Sequence, residues 1–122
     1  MSATGPVLVV DDDEGIRDFI GMVLSDEGYE VMTASDGAAA LELIEQRSPT
    51  VILLDMRMPI MDGWEFARAY RQRPGPRAPI IVVSAGREAA SRAAEIDAAD
   101  VLPKPFRLAE LLDLVGKFAR HV

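Results

Sequence analysis

The chain has 122 residues, with 20 acidic against 13 basic side chains and a formal charge of −7. It has no cysteine, which excludes a disulfide framework, a thiolate metal site and a thiol nucleophile. The acidic balance argues against direct nucleic acid binding, and no leader-like or membrane-spanning run is present, so a cytoplasmic protein with no membrane contact is expected.

The length fits one domain, residues 1–122 with a core over about 6–119. The first apolar run, Val7, Leu8, Val9 and Val10, empties into Asp11, Asp12 and Asp13. Short, uniformly apolar runs rich in β-branched residues read as strands buried on both faces. Asp13 is placed to cap a helix over roughly 14–26, whose apolar face holds Ile16, Ile20, Val23 and Leu24, and Gly28 turns the chain. A second strand is expected over 29–34. Ser35 is the expected cap of a helix over about 36–47, ended by Ser48-Pro49.

The central run Val51, Ile52, Leu53 and Leu54 breaks at Asp55 and is stopped by Pro59. Met61-Asp62-Gly63 is a turn into a helix from Trp64 to about Arg73. Ile80 to Val83 is a fourth strand, which empties into Ser84-Ala85-Gly86. The next helix, 87–97, is alanine-rich with Ile96 as its one large apolar side chain, and is expected to be anchored weakly. A short strand at Val101-Leu102 precedes Pro103-Lys104-Pro105, and a last helix over about 107–119 carries Leu108, Leu111, Leu112, Val115 and Phe118. Five strands alternating with five helices imply βαβ units around a parallel sheet. The terminal His121 reads as a solvated residue.

In open α/β folds, ligands bind at the carboxyl edge of the sheet. Four of the five strands here end there in a polar group: Asp11 and Asp12, Asp55, Ser84 and Lys104. Each alone has a bland reading, as a helix cap, a loop hydroxyl or a solvated ammonium. Together they describe a cleft. If the first and third strands are neighbours, three carboxylates crowd one place and call for a cation. Without cysteine, and with no histidine before His121, that cation is hard and oxygen-loving. Magnesium fits, and calcium is not excluded by the residue types. Such a cleft suits a carboxylate attacking phosphorus to form an aspartyl phosphate. Ser84 would donate to one phosphoryl oxygen and Lys104 would stand as a point charge on another.

At VVDDD (9–13), LLDMRMPIMDG (53–63), VVSA (82–85) and LPKPF (102–106) the chain resembles the response-regulator receiver domain of two-component signalling. The resemblance implies a flavodoxin-like (βα)5 fold with strand order 2-1-3-4-5. It implies Asp55 as phosphoacceptor, Asp12 as a direct Mg2+ ligand, Asp11 acting mostly through water, and the Arg57 backbone carbonyl as a further ligand. Ser84 matches the hydroxyl that reorients toward the phosphoryl group, Lys104 the invariant lysine, and Lys104–Pro105 a cis bond. It also implies a sensor histidine kinase or histidine phosphotransfer protein as donor, side chains at Arg57 and Ala85 flanking the hydrolytic water, and an output protein or a second copy reading the 87–119 face. A receiver is the substrate of its own phosphorylation rather than a conventional turnover enzyme.

Val101 departs from the resemblance, because many relatives have an aromatic ring there. Asp97 and Ala99 stand where relatives often have Gly and Asp. The competing readings are a receiver cut from a DNA-binding regulator or hybrid kinase, a pseudo-receiver docking module, and a flavin-binding electron carrier of similar strand order.

Overall fold

The computed structural model describes residues 5–119, so His121 lies outside the described residues. Strands β1 (Val7–Val10), β2 (Val31–Ala34), β3 (Val51–Leu54), β4 (Ile80–Ala85) and β5 (Asp100–Lys104) alternate with helices α1 (Glu14–Asp26), α2 (Gly37–Gln46), α3 (Gly63–Gln72), α4 (Ala89–Glu95) and α5 (Leu108–Phe118). All strand pairs are parallel and the order is β2-β1-β3-β4-β5. This is the expected flavodoxin-like arrangement.

The alternation of side chains along each strand divides the core into two layers. Leu8, Val10, Ile52, Leu54, Ile80 and Val82 face Ala40 and Ile44 of α2, Phe66, Ala67 and Tyr70 of α3, and Ala93 and Ile96 at α4. Val7, Val9, Val51, Leu53, Ile81, Val83 and Leu102 face Ile20 and Leu24 of α1 and Leu111 and Val115 of α5. Every side chain of β1 and β3 is buried, so the two central strands read as unbroken apolar runs. Each such aliphatic side chain contributes about 1.5–3 kcal/mol.

Two elements differ from the sequence reading. The cap of α2 is Asp36, whose carboxylate accepts the Ala39 N–H at 2.9 Å, and not Ser35. A carboxylate two or three residues before the unpaired amides reaches them where Ser35 does not. The alanine-rich segment is also divided: a 3-10 turn, Gly86–Glu88, precedes a shorter α4. After Ile96 the chain leaves through Asp97 in the left-handed region (φ 53°), the position that glycine would fill at lower cost. Asp13 caps α1 as expected, accepting the Ile16 N–H at 3.0 Å.

The loop from β3 to α3 is held tightly. Asp62 and Glu65 form a reciprocal capping box at the start of α3. The Gly63 N–H donates to the Met56 carbonyl at 2.9 Å. A Cβ at Gly63 would lie 2.7 Å from Met56 Cα and 3.0 Å from the Asp55 carbonyl oxygen. Between these fixed points the loop passes through Ile60 at φ 68°, a β-branched side chain in the left-handed region and 82 % exposed. Opposite outcomes are expected at the two positions in urea unfolding. Gly63→Ala is expected to destabilise by about 1–3 kcal/mol through overpacking against backbone. Ile60→Asn is expected to stabilise by roughly 1 kcal/mol, because Asn tolerates the left-handed conformation better.

Candidate functional site

The site forms where β1 and β3, paired residue for residue from Val7↔Val51 to Val10↔Leu54, emerge together at their carboxyl ends. The Asp55 N–H donates to the Val10 carbonyl at 2.9 Å, and the Asp11 N–H to the Ala34 carbonyl at 3.1 Å. These backbone bonds fix both aspartates relative to the sheet before any side-chain contact is made. Asp11 and Asp55 are buried and Asp12 is exposed. Carboxylate oxygens from Asp11, Asp12 and Asp55 lie within 4.8 Å of one another.

Positive charge reaches this cluster from β5. Pairing of Ala85 with Lys104 sets the lysine at the same edge, just before the cis Lys104–Pro105 bond. Its Nζ donates to Asp11 Oδ2 at 2.9 Å and lies 4.0 Å from Asp55 Oδ2. The other oxygen of Asp11 accepts the Asp13 N–H at 2.9 Å, and its backbone carbonyl accepts from Arg17 Nη1 at 2.8 Å. Asp11 is thus bound on both sides, whereas Asp55 has its main neighbours in the Arg57 backbone N–H and, farther off, Lys104. Burial, with the negative charge of Asp11 as the next cause, pushes the Asp55 carboxyl up to about 6; Lys104 and the Arg57 N–H act against that rise.

Three carboxylates with one ammonium among them can hold a divalent cation. The donors are hard oxygens, and Asp55 is a group whose ionised form is short of positive charge. A cleft of about 360 Å³ opens beside the cluster, lined by Asp12, Met56, Arg57, Met58, Asp62 and Trp64. The Arg57 and Ala85 side chains are exposed at this edge.

Ser84, at the carboxyl end of β4 next to β3, is 1 % exposed. Its Oγ accepts a hydrogen bond from Arg92 Nη1, and Arg92 Nη2 donates to Glu88. The arginine was not among the residues singled out in the sequence. Its signal is its place on the inward stripe of α4 with Ala89, Ala93 and Ile96, spaced as one helix face. The same helix is fastened at its far end: Trp64 Nε1 donates to Glu95 at 2.8 Å, and Arg71 donates to the carbonyls of Ile96 and Asp97. Small apolar side chains alone therefore do not describe its anchoring. Val101 is half-buried against the α2–α4 layer.

The raised carboxyl has a consequence for stability. Without metal, the folded state binds the Asp55 proton more tightly than the unfolded chain does. This contribution is full below the unfolded value of 3.8 and is lost as pH rises through about 6. Wild-type protein in chelator should therefore lose up to about 3 kcal/mol between pH 4 and 7 relative to Asp55→Asn. Urea unfolding across that range reads the difference, and parallel curves for the two proteins would refute it.

The family model for the response regulator receiver domain matches residues 7–116. Response regulator MprA of Mycobacterium leprae is 43 % identical over 117 residues, covering 94 % of this chain and 51 % of that protein. The same-named protein of Mycobacterium sp. (strain KMS) is 44 % identical over 108 residues, 87 % of this chain and 46 % of its own. The chain thus spans about half the length of the curated relatives it matches. Among solved structures, a putative response regulator from Chloroflexus aurantiacus superposes with a TM-score of 0.86 at 31 % identity, covering 97 % of this chain and 99 % of that one. Chemotaxis response regulator CheY4 of Vibrio cholerae gives 0.84 at 34 %, covering 95 % and 99 %.

Proposed function

The chain belongs to the response-regulator receiver family, and on that premise we propose that it accepts a phosphoryl group on Asp55 and signals through the protein surface that this changes. The observation that carries the reading is the meeting of Asp55, Asp11, Asp12 and Lys104 at one edge of the sheet. Asp55 attacks the phosphorus of a phosphohistidine on a sensor kinase or phosphotransfer protein. The P–O bond to Asp55 forms as the P–N bond breaks, and the imidazole leaves to take a proton from solvent. Asp55 reacts in its ionised form, which burial opposes and Lys104 favours.

Asp12, Asp55, the Arg57 carbonyl and, through water, Asp11 would hold Mg2+, which when bound offsets phosphoryl negative charge. Lys104, whose Nζ stands near both buried carboxylates, would take one phosphoryl oxygen, a reading that this proximity supports. Ser84 takes another through its O–H. The cleft lined by Asp12, Arg57 and Trp64 would admit the donor toward Asp55, and the Arg57 and Ala85 side chains would flank the route of the water that later hydrolyses the acyl phosphate.

A second reading, favoured by the length of the curated relatives, is that the same chemistry serves a longer regulator or hybrid kinase whose further segment reads the 87–119 face. In the first reading a separate protein or a second copy does so.

Incubation with acetyl phosphate and Mg2+ followed by intact mass tests the shared step. One phosphoryl group per chain is expected, lost on Asp55→Ala and on chelation. Lys104→Ala is expected to slow the gain by roughly 100-fold. An unchanged gain in Asp55→Ala would remove the assignment.

A further inference from the structure

The geometry points to Arg92 as the positioning residue for Ser84, and as the link through which phosphorylation at Asp55 moves α4. This rests on the reading of Asp55 as phosphoacceptor and adds how its state leaves the site.

Arg92 is buried, its side chain 8 % exposed, on the face of α4 that packs against the sheet. A guanidinium in such a place persists only when its donors are satisfied, and here the two partners that hold it are Ser84 and Glu88. The bond to Ser84 runs from nitrogen to oxygen. A serine hydroxyl has one donor and two acceptor positions, so Arg92 fills an acceptor position and leaves the O–H free. A charged donor on Oγ also polarises that O–H and strengthens it as a donor. Ser84 can therefore turn its hydrogen toward a phosphoryl oxygen while still holding Arg92.

The mechanical consequence follows from the rest of α4. Its carboxyl end is pinned to α3 by Trp64–Glu95 and by Arg71 on the Ile96 and Asp97 carbonyls. Its amino end follows the 3-10 turn at Gly86, where φ is 29°. With one end pinned, a displacement of Ser84 passed through Arg92 tilts the helix about its carboxyl end.

Trp64 is the chain's only tryptophan; it lines the cleft beside Asp12 and its indole N–H is bonded to Glu95 of α4, so the part of its fluorescence change that Glu95→Ala removes reports the helix, and that part is the change followed. The full chain is treated with acetyl phosphate and Mg2+, the phosphorylated fraction is read by intact mass, and the fluorescence change is expressed per phosphorylated molecule. Arg92→Met, which keeps the length of the stem, is expected to take up phosphate but lose most of that change. Arg92→Lys keeps one charged donor and should recover part of it. Adding Ser84→Ala to Arg92→Met should cause no further loss, as expected of two groups in one link.

A full change per phosphorylated molecule in Arg92→Met overturns the proposal. So do additive losses in the double variant, or the absence of any change in phosphorylated wild type. If Arg92→Met does not fold, Arg92→Lys decides: a change equal to that of wild type or a complete loss counts against the link, and a partial change supports it. Absence of any phosphoryl gain in wild type is a separate result, read by mass, that removes the phosphoacceptor reading and this inference with it.

Discussion

Hydrogen bonds of the sheet hold two carboxylates, Asp11 and Asp55, side by side, and Asp12 follows next in the chain. The Asp55 amide is bound to Val10, so Asp55 cannot leave Asp11 without unpairing β1 and β3, whose side chains are wholly buried. The mutual repulsion of the carboxylates is therefore carried by the folded state and not relieved by a local shift. Lys104 answers part of it, and does so mainly at Asp11. What is left over is a buried carboxyl held up to about 6, in other words an affinity for positive charge built in by the backbone. The same crowding that costs stability makes the cluster a place for a divalent cation.

Around that fixed cluster the molecule is unevenly stiff. On the β3 side, the Asp62–Glu65 capping box, the Gly63–Met56 bond and the space that only glycine fits hold the loop to α3 within narrow limits. On the β4 side the path runs through an exposed 3-10 turn to a helix of seven residues. α4 contributes Ala89, Ala93 and the adjoining Ile96 to the core, far less apolar area than Phe66, Ala67 and Tyr70 give α3. Polar bonds make up the difference, and they join α4 to Ser84 from its middle, through Arg92, and to α3 at its carboxyl end.

The strands were legible because parallel strands buried on both faces leave an uninterrupted apolar signature, as in β1 and β3. The carboxyl-edge residues were legible because a strand that ends in Asp, Ser or Lys places that group at a known end of the sheet. Asp11, Asp12 and Asp55 accordingly meet as expected. What the chain order could not convey was pairing across long separations. That Lys104 favours Asp11 over Asp55, or that Trp64 reaches Glu95, depends on tertiary geometry. Arg92 was hidden for another reason: an arginine among alanines resembles a solvated residue, and only its register with Ala89, Ala93 and Ile96 marks it as inward. Ser35 and Asp36 illustrate the ordinary limit of one residue at a helix start.

The polar fastening of α4 sets how its position responds to surroundings. Exchanging hydrogen bonds and charge contacts changes little apolar hydration, and apolar hydration is the main source of a large heat-capacity change. A helix held in this manner shifts between arrangements with weak curvature in temperature. Ionic strength acts on it more directly, since Glu88 is exposed and its attraction to Arg92 is screened on its outer side. The surface of α4 would then be tuned by salt where the core beneath it is tuned by heat.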